Sequence, residues 1–253
     1  MKKTFRYFLI AIAVISVFSG ISVTETNAQR INKVLKRMEK RLKSLKTLSA
    51  NVKMVKYNSQ LGESDIIEGQ CFFNAGKSTK DFQIRVDWIY PLKESMSLTE
   101  DEYVLYRPHI NQMIIGKFQK SRTDSKIAEN SSPLPKGNPR EIKGNLMTQD
   151  IFSFMKMSKA QLKENYSFKI LGEKVKLENG VKTTHLELIS KSETIYKSAE
   201  IWVSKKGLPM QVKVTEKNND STTVLLKELK RNKKINLKIF TITYPKSVKI
   251  LKG

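Results

Sequence analysis

From Leu48 onward, most of the chain alternates apolar and polar residues with a period of two. In the stretch 82–88, for example, every second residue from Phe82 to Trp88 is apolar and the residues between them are polar. This alternation is typical of strands in a sheet that has one apolar and one solvated face. Because the later strands are joined by turn-like connections, we expect antiparallel neighbours. The chain is therefore restricted to a fold dominated by an antiparallel sheet.

The alternation predicts eleven or twelve strands in all. The early strands are expected around 48–54, 82–88, 103–106 and 113–118. The strands predicted for the second half are 166–172, 183–190, 196–204, 209–217, 221–229 and 236–243. No stretch rich in linker residues divides the chain, so one continuous sheet, curled and covered by helices, is the economical arrangement.

Two helical segments accompany the strands. Residues 31–47 place apolar side chains at helical spacing and basic side chains opposite them, which predicts an amphipathic helix. Its apolar stripe either packs on the sheet, which we favour, or lies on a membrane surface. The stretch from Ser158 to Gln161 resembles a capping box that opens a short helix ending near Asn165. Before it, the Pro- and Ser-containing stretch 120–146 predicts a long loop.

The composition offers little from which an enzymatic or metal site could be built. Cys71 is the one cysteine, so it forms no intrachain disulfide and no CxxC metal site, and we expect a small, half-buried strand residue. The two histidines, His109 and His185, are expected to be structural or solvated. Glu187 and Glu200 occur singly on strands, without a positioned acid–base partner. With no nucleophile-elbow, zinc-protease or phosphate-loop motif present, we expect neither an enzyme nor a bound cofactor or metal.

The N-terminus has the organisation of an export signal. Basic residues at positions 2, 3 and 6 precede an apolar run over 7–18, and small residues follow at 26–28. We expect cleavage after Ala28, which leaves residues 29–253 as one domain, and the alternative is a retained signal anchor. The strongly apolar run is shorter than the roughly 20 residues that a spanning helix needs. No cysteine directly follows the run, so no lipid can be attached there.

The chain is strongly basic, with 47 Lys and Arg residues against 24 Asp and Glu residues. The predicted leader holds three of the basic residues and one of the acidic ones, so the mature chain would carry a net charge of +21. An exported protein meets anionic lipid headgroups, lipopolysaccharide or acidic proteins rather than nucleic acid. The lysines are spread along the whole sequence, which favours a solvated surface over one binding site.

Several segments resemble motifs of the outer-membrane lipoprotein carrier proteins, the family of LolA- and LolB-like proteins. Residues 84–91 (IRVDWIYP) resemble the family's FRWEYxxP segment, and residues 101–108 (DEYVLYRP) its DGxxLWxYxP segment. Residues 48–52 (LSANV), 109–112 (HINQ) and 240–248 (FTITYPKSV) are similar to its xxANFxQ, xxNQ and FxFxxPxGV segments. These similarities run in chain order over nearly the whole mature sequence. Two departures are Val86 in place of the family's tryptophan and Glu102 in place of its glycine.

The resemblance implies an α+β fold: a half-open antiparallel barrel of about eleven strands with helices covering its concave face. It also implies a periplasmic, soluble, monomeric carrier that binds the acyl chains of lipoproteins or lipids and no nucleic acid. Its implied partners are an inner-membrane ABC-type exporter, which supplies the cargo, and an outer-membrane receptor, which accepts it. Lys80 stands where some carriers have an arginine that connects the lid to the sheet, so the resemblance implies a lid contact for Lys80. The simpler interpretation of Lys80 is a solvated charge at the end of a strand. Lysine cannot make the same bidentate contacts.

The alternation identifies candidate residues for an acyl-binding cavity, because a curled sheet encloses a lipid if its own side chains do not fill it. The alternative for each of them is a place in a closed core. A second function also stays open, an exported binding protein for other lipids or for anionic envelope components, and an exported hydrolase is the least favoured. The candidates on the early strands are Val52, Met54, Phe82, Ile84, Val86 and Trp88, and those on the covering helices are Leu45, Ile151, Phe152 and Met155.

Overall fold

A computed structural model describes residues 26–77, 81–99, 101–117, 158–192, 194 and 196–252. The dominant feature of these residues is one open, curved and mostly antiparallel sheet, as the sequence predicted. It has twelve strands, which agrees with the eleven or twelve that the alternation predicts and is one more than the resemblance implies. The strands of the first half are β1 Thr47–Asn58, β2 Glu63–Asn74, β3 Gln83–Tyr90, β4 Glu94–Leu98, β5 Glu102–Arg107 and β6 Gln112–Lys117. Those of the second half are β7 Tyr166–Lys176, β8 Lys182–Ser190, β9 Tyr196–Ser204, β10 Pro209–Glu216, β11 Ser221–Arg231 and β12 Lys249–Lys252.

Two antiparallel meanders make up the sheet. Strands β1 to β6 follow one another across it in chain order, and so do strands β7 to β11. The two meanders join where β1 pairs with β11, with Met54 opposite Val224. At the far edge β12 runs parallel to β6, with Ile250 opposite Met113. The short turns within each meander require antiparallel pairing, whereas β12 reaches β6 through a longer connection and is free of that requirement.

The first helix, α1, spans Asn27–Lys43 and therefore begins and ends about four residues earlier than the sequence pattern predicted. It begins early because Thr26 and Gln29 form a reciprocal capping box: the Gln29 amide donates to Thr26 Oγ1, and the Thr26 amide donates to Gln29 Oε1. It ends early because Thr47, which the pattern placed in the helix, already pairs with Asn74 as the first residue of β1.

The second helix, α2, spans Lys159–Asn165 and confirms the capping box predicted at its start. Ser158 Oγ accepts from the amide of Gln161, and Gln161 Oε1 accepts from the amide of Ser158. Leu162 is fully buried, and it packs in the same cluster as Val34 and Leu35 of α1. The two helices therefore cover one common part of the sheet.

The helices cover the apolar side of the sheet. We call this side the inner face and define it by Met54, Val224 and Ile201. The strand register places one row of apolar residues across seven strands of this face, and the row consists of Ile170, Leu186, Ile201, Val212, Val224, Met54 and Ile67. Helix α1 packs on the row through Val34, Leu35 and Met38, over strands β8 and β9. The predicted packing of its apolar stripe on the sheet is thereby observed.

The prediction of a strand at 236–243 is wrong. Leu237–Phe240 forms a 3-10 helix, which is capped by the side chain of Asn236. Between this helix and β12, no residue pairs with a strand of the sheet. The apolar residues Phe240 and Ile242 are buried because the segment crosses the opposite side of the sheet, which we call the outer face. A segment that crosses strands can bury alternate side chains just as a strand does, so alternation alone does not distinguish the two.

Candidate functional site

The inner face of strands β1 to β5 brings the sequence-predicted cavity residues together. Leu45, Val52, Met54, Ile84, Val86 and Trp88 all belong to one buried apolar cluster, and Phe82 packs against it partly buried. Four further candidates, Lys80, Ile151, Phe152 and Met155, lie outside the described residues and stay predictions from the sequence. Leu45, which the sequence pattern placed on a covering helix, lies in the turn between α1 and β1.

The register arranges this cluster in three parallel rows across the strands. The first row places Val52 beside Gly69 and Gly69 beside Trp88. The second row consists of Ala50, Cys71, Val86, Met96 and Leu105. The third row consists of Leu48, Phe73, Ile84, Leu98 and Tyr103. The second and third rows form an apolar surface that continues from β1 to β5. The first row is apolar from β1 to β3 and ends at Glu94 of β4, which lies opposite Trp88 and pairs with Arg107 at 3.3 Å.

Because Gly69 of β2 has no side chain, the backbone of β3 lies unusually close to it at Asp87 and Trp88. A Cβ atom on Gly69 would overlap the carbonyl oxygen of Asp87, so any other residue would push β2 and β3 apart. The strand register also shifts between Glu68 and Gly69, which marks a bulge at this point. A lone glycine inside a strand pattern is the signal from which this close approach could have been inferred.

Several members of the cluster were not among the sequence candidates, in particular Met96 and Leu98 of the short strand β4. The stretch 94–98 (ESMSL) gives too few alternations to fix which residues face inward. Cys71, expected to be half-buried, is only 2% exposed on this face. Burial raises the pKa of its thiol to about 12, so the side chain is an uncharged apolar group.

On the outer face, a polar network fastens the chain that leads from β11 to β12. Arg85 Nη1 donates to the carbonyl oxygens of Ile239 and Thr241, at 2.6 and 3.2 Å. Ser97 Oγ donates to the carbonyl of Phe240 at 2.7 Å. These bonds satisfy carbonyls that have no ladder partner, and they hold residues 237–242 against the sheet.

The outer face also contains a histidine–carboxylate pair. His185 Nε2 lies 2.6 Å from Glu200 Oε2, and the His185 ring stacks on Trp202 with the ring centres 3.9 Å apart. Glu200 therefore has a partner, contrary to the expectation from the sequence that it stands singly on its strand. His185 and Glu200 are hydrogen-bonded to each other beside the buried indole of Trp202, so packing explains the arrangement. Within the described ranges, no three His, Cys, Asp or Glu residues come together as a metal site.

The described part of the chain contains no helix that is both long enough and apolar enough to cross a bilayer. Helix α1, at 17 residues, carries seven Lys and Arg residues.

Residues 142–243 match the family model described as outer membrane lipoprotein carrier protein LolA. In the described residues this span runs from α2 through β11 to the crossing segment. The inner-face cluster of β1 to β5 lies outside the matched span. No curated protein matches the chain.

Among solved structures, an uncharacterized conserved protein from Thermus thermophilus is 15% identical with a TM-score of 0.51, over 89% of this chain and 100% of that one. Lipoprotein LppX of Mycobacterium tuberculosis is 12% identical with a TM-score of 0.44, over 82% of this chain and 98% of that one. A putative outer membrane lipoprotein-sorting protein domain from Vibrio parahaemolyticus is 14% identical with a TM-score of 0.39, over 82% and 94% of the two chains.

The likeness to the Thermus protein shows a shared fold along nearly the whole chain, since both chains are covered almost completely. The family match adds a sequence relationship over the second meander. The resemblance that the motifs predicted is thereby confirmed: over residues 142–243 this chain is similar to the outer membrane lipoprotein carrier proteins of the LolA family.

Proposed function

We propose that the protein is a carrier that binds the acyl chains of lipids or lipoproteins against the inner face of β1 to β5, inside a half-open barrel. The observation that supports this is the apolar surface of that face, whose second and third rows extend across five strands. Among the buried residues of the described chain the only polar ones are Ser97, Thr183 and Ser204, and none is charged. The charged residues beside Trp88, Glu94 and Arg107, pair with each other at 3.3 Å, so an acyl chain that lies along the second and third rows meets no charged group.

Acyl binding needs no catalytic group, because the transfer of each methylene from water to an apolar surface gains about 0.8 kcal/mol. The lining suits a flexible chain, since Met54 and Met96 supply unbranched side chains that adapt to different occupants. Trp88 adds a large, flat apolar surface. A carrier of this kind is a binding protein and not an enzyme.

We further propose, on the family similarity, that the cargo is taken from an inner-membrane ABC-type exporter and delivered to an outer-membrane receptor. This places the protein in the periplasm, as a soluble domain of residues 29–253 after its leader is removed. Cleavage after Ala28 would also remove the Thr26 cap of α1. The mass of the exported protein tests the leader directly: a start at Gln29 supports this proposal, and an uncut chain contradicts it.

Native mass spectrometry tests the acyl-binding proposal, and the two tryptophans of the chain supply a matched pair of variants. Trp88 lies on the inner face and Trp202 on the outer face, and they are 5% and 8% exposed. Either Trp→Ala change removes a large buried side chain and should cost about 3–5 kcal/mol of stability. We expect the wild-type protein to retain an acylated species that persists as salt is raised.

Trp88→Ala should lower the occupancy by this species about tenfold or more, while Trp202→Ala should leave it close to that of the wild type. An equal loss in both variants would show that occupancy follows stability alone, and it would contradict the inner face as the binding surface. A wild-type protein that never retains or takes up an acylated species would contradict the carrier function itself.

A further inference from the structure

Three basic segments, far apart in the sequence, meet at the end of the sheet where β1 begins. The turn between β9 and β10 contacts the C-terminal half of α1: Arg41 Nε donates to the carbonyl of Lys206 at 2.9 Å. The backbone at Gly207 lies so close to that of Arg37 that a Cβ atom on the glycine would overlap the Arg37 carbonyl. The turn is therefore fixed against the helix, and its two lysines lie beside the basic side of α1.

The third segment follows β11 and is fixed at the same place. Asn232 Nδ2 donates to the carbonyl of Ser44 at 2.9 Å, and Asn232 Oδ1 accepts from the amide of Lys46 at 2.9 Å. Thr47 Oγ1 donates to the carbonyl of Lys233 at 2.6 Å. The bonds hold residues 232–233 beside the end of α1.

We call the surface formed by residues 36–46, 205–206 and 233–234 the basic pole. It contains ten Lys and Arg residues and one acidic residue, Glu39. Glu39 is already engaged, because its Oε1 lies 3.1 Å from Lys43 Nζ and accepts from the amide of Lys159. The exposed cationic side chains of the pole are Lys36, Arg37, Lys40, Lys43, Lys46, Lys205, Lys206, Lys233 and Lys234.

We propose that the basic pole docks the protein on the surface of an anionic phospholipid bilayer. Eight of its ten cationic residues are lysines, which act as point charges toward phosphate-bearing headgroups. No aromatic residue occurs in its three segments, so it lacks the stacking surfaces with which proteins bind single-stranded nucleic acid.

The basic pole lies next to the proposed acyl-binding surface, so docking there would bring that surface to the bilayer. This consequence rests on the proposed function. Leu45 lies within the pole's own segment, yet its side chain belongs to the inner-face cluster, as does Leu48 just beyond it. A bilayer bound at the pole would therefore face the end of the acyl-binding surface. The docking itself does not depend on acyl binding.

Vesicle co-sedimentation of the full chain, with its native processing, tests the docking. The vesicles are pure phosphatidylcholine or phosphatidylcholine with phosphatidylglycerol, and no acylated cargo is added. The pole variant combines Lys205→Gln, Lys206→Gln, Lys233→Gln and Lys234→Gln, whose side chains are exposed. The control variant removes the same charge at four exposed lysines elsewhere, and these changes are Lys93→Gln, Lys163→Gln, Lys169→Gln and Lys246→Gln.

We expect the wild type to bind the anionic vesicles over the neutral ones, and this preference should fall as salt is raised. The pole variant should lose this preference by about tenfold or more, since each lysine near an anionic surface adds to the electrostatic attraction. The preference of the control variant for anionic vesicles should fall by less than half as much as that of the pole variant, when both decreases are expressed as logarithms. Because all the proteins share one N-terminal sequence, any binding through that segment cancels in the comparison.

Equal losses in the two variants would show that the charge acts diffusely, and they would overturn the proposal. So would a wild type that binds heparin, a soluble polyanion, while showing no preference for phosphatidylglycerol. Failure of the docking leaves the acyl-binding proposal standing, because that proposal is tested by Trp88→Ala without any vesicle.

Discussion

Arg85 and Asp87 lie two residues apart on the outer side of β3, and Arg85 Nε lies 2.8 and 2.9 Å from the two carboxylate oxygens of Asp87. Ser95 Oγ donates to the same carboxylate at 2.6 Å. The carboxylate thus orients the guanidinium, whose Nη1 reaches the carbonyl of Ile239, 154 residues away in the sequence. Because Nη1 also donates to the carbonyl of Thr241 at 3.2 Å, the pair joins segment 84–91 to segment 240–248.

We predict that Arg85→Ala releases the segment 237–242 from the sheet and lowers the free energy of unfolding by about 2–4 kcal/mol. The reason is that two backbone carbonyls and the Asp87 carboxylate lose their common donor at a site where the Arg85 side chain is only 17% exposed. Arg85→Lys should be intermediate, because lysine keeps the charge without the planar fork. Denaturant unfolding gives the stability, and amide exchange in 237–248 shows where the loss occurs. An unchanged exchange pattern would contradict the role of Arg85 in holding this segment.

The two tryptophans also allow a fluorescence prediction, with one emitter on each face. In Trp202→Phe the remaining Trp88 should be quenched by a fatty acid brominated on its chain, because the acyl chain would contact the inner face. In Trp88→Phe the remaining Trp202, stacked on His185 on the outer face, should keep its emission. Quenching of both to the same extent would indicate binding that does not distinguish the faces.

Glu178 gives a prediction about pH. It lies at the tip of the β7–β8 hairpin, and its carboxylate accepts from Lys227 Nζ at 2.7 Å and from Lys53 Nζ at 2.9 Å. The hydrogen bond from Lys227, and then that from Lys53, lower the pKa of Glu178 from 4.5 to about 2. Because the folded pKa lies below the unfolded one, the stabilisation is complete above about pH 4.5 and is lost as the pH falls toward 2.

The stability difference between the wild type and Glu178→Gln should therefore shrink steadily from pH 5 to pH 2. It should also shrink in high salt, since the carboxylate is 54% exposed and its ion pairs are screened. Denaturant unfolding at several pH values measures this. A constant difference over that range would show that the two lysines do not bind the ionised carboxylate.

Cys71 gives a prediction about reactivity. Its thiol is buried in the second row of the inner face, and burial raises its pKa to about 12. At pH 8 the folded protein should react with a thiol reagent at least about 100-fold more slowly than the unfolded chain, because both access and thiolate are lacking. Rapid labelling in the absence of denaturant would show that the inner face is open to water, and it would contradict the buried packing of this row.

The local features of the fold could be predicted from the sequence because nearby residues cause them. The strand at 196–204 has the predicted bounds, and the alternation there continues to the turn at Lys205. The capping box at Ser158 depends on two side chains three residues apart, and it was found where the pattern placed it. The inner-face residues Val52, Ile84, Val86 and Trp88 were identified by the same reasoning, since alternate residues of one strand share one face.

The tertiary structure decided what depends on residues distant in the sequence. Alternation shows which side of a segment is apolar but not which segment it pairs with. Residues 236–243 therefore resembled a strand, whereas in the structure they cross the sheet and are hydrogen-bonded to Arg85. The lysines appeared evenly spread in the sequence, and the contacts of Arg41 and Asn232 collect three groups of them at one end of the sheet. A periodic pattern is a property of each segment alone, whereas a shared surface exists only after distant segments have packed together.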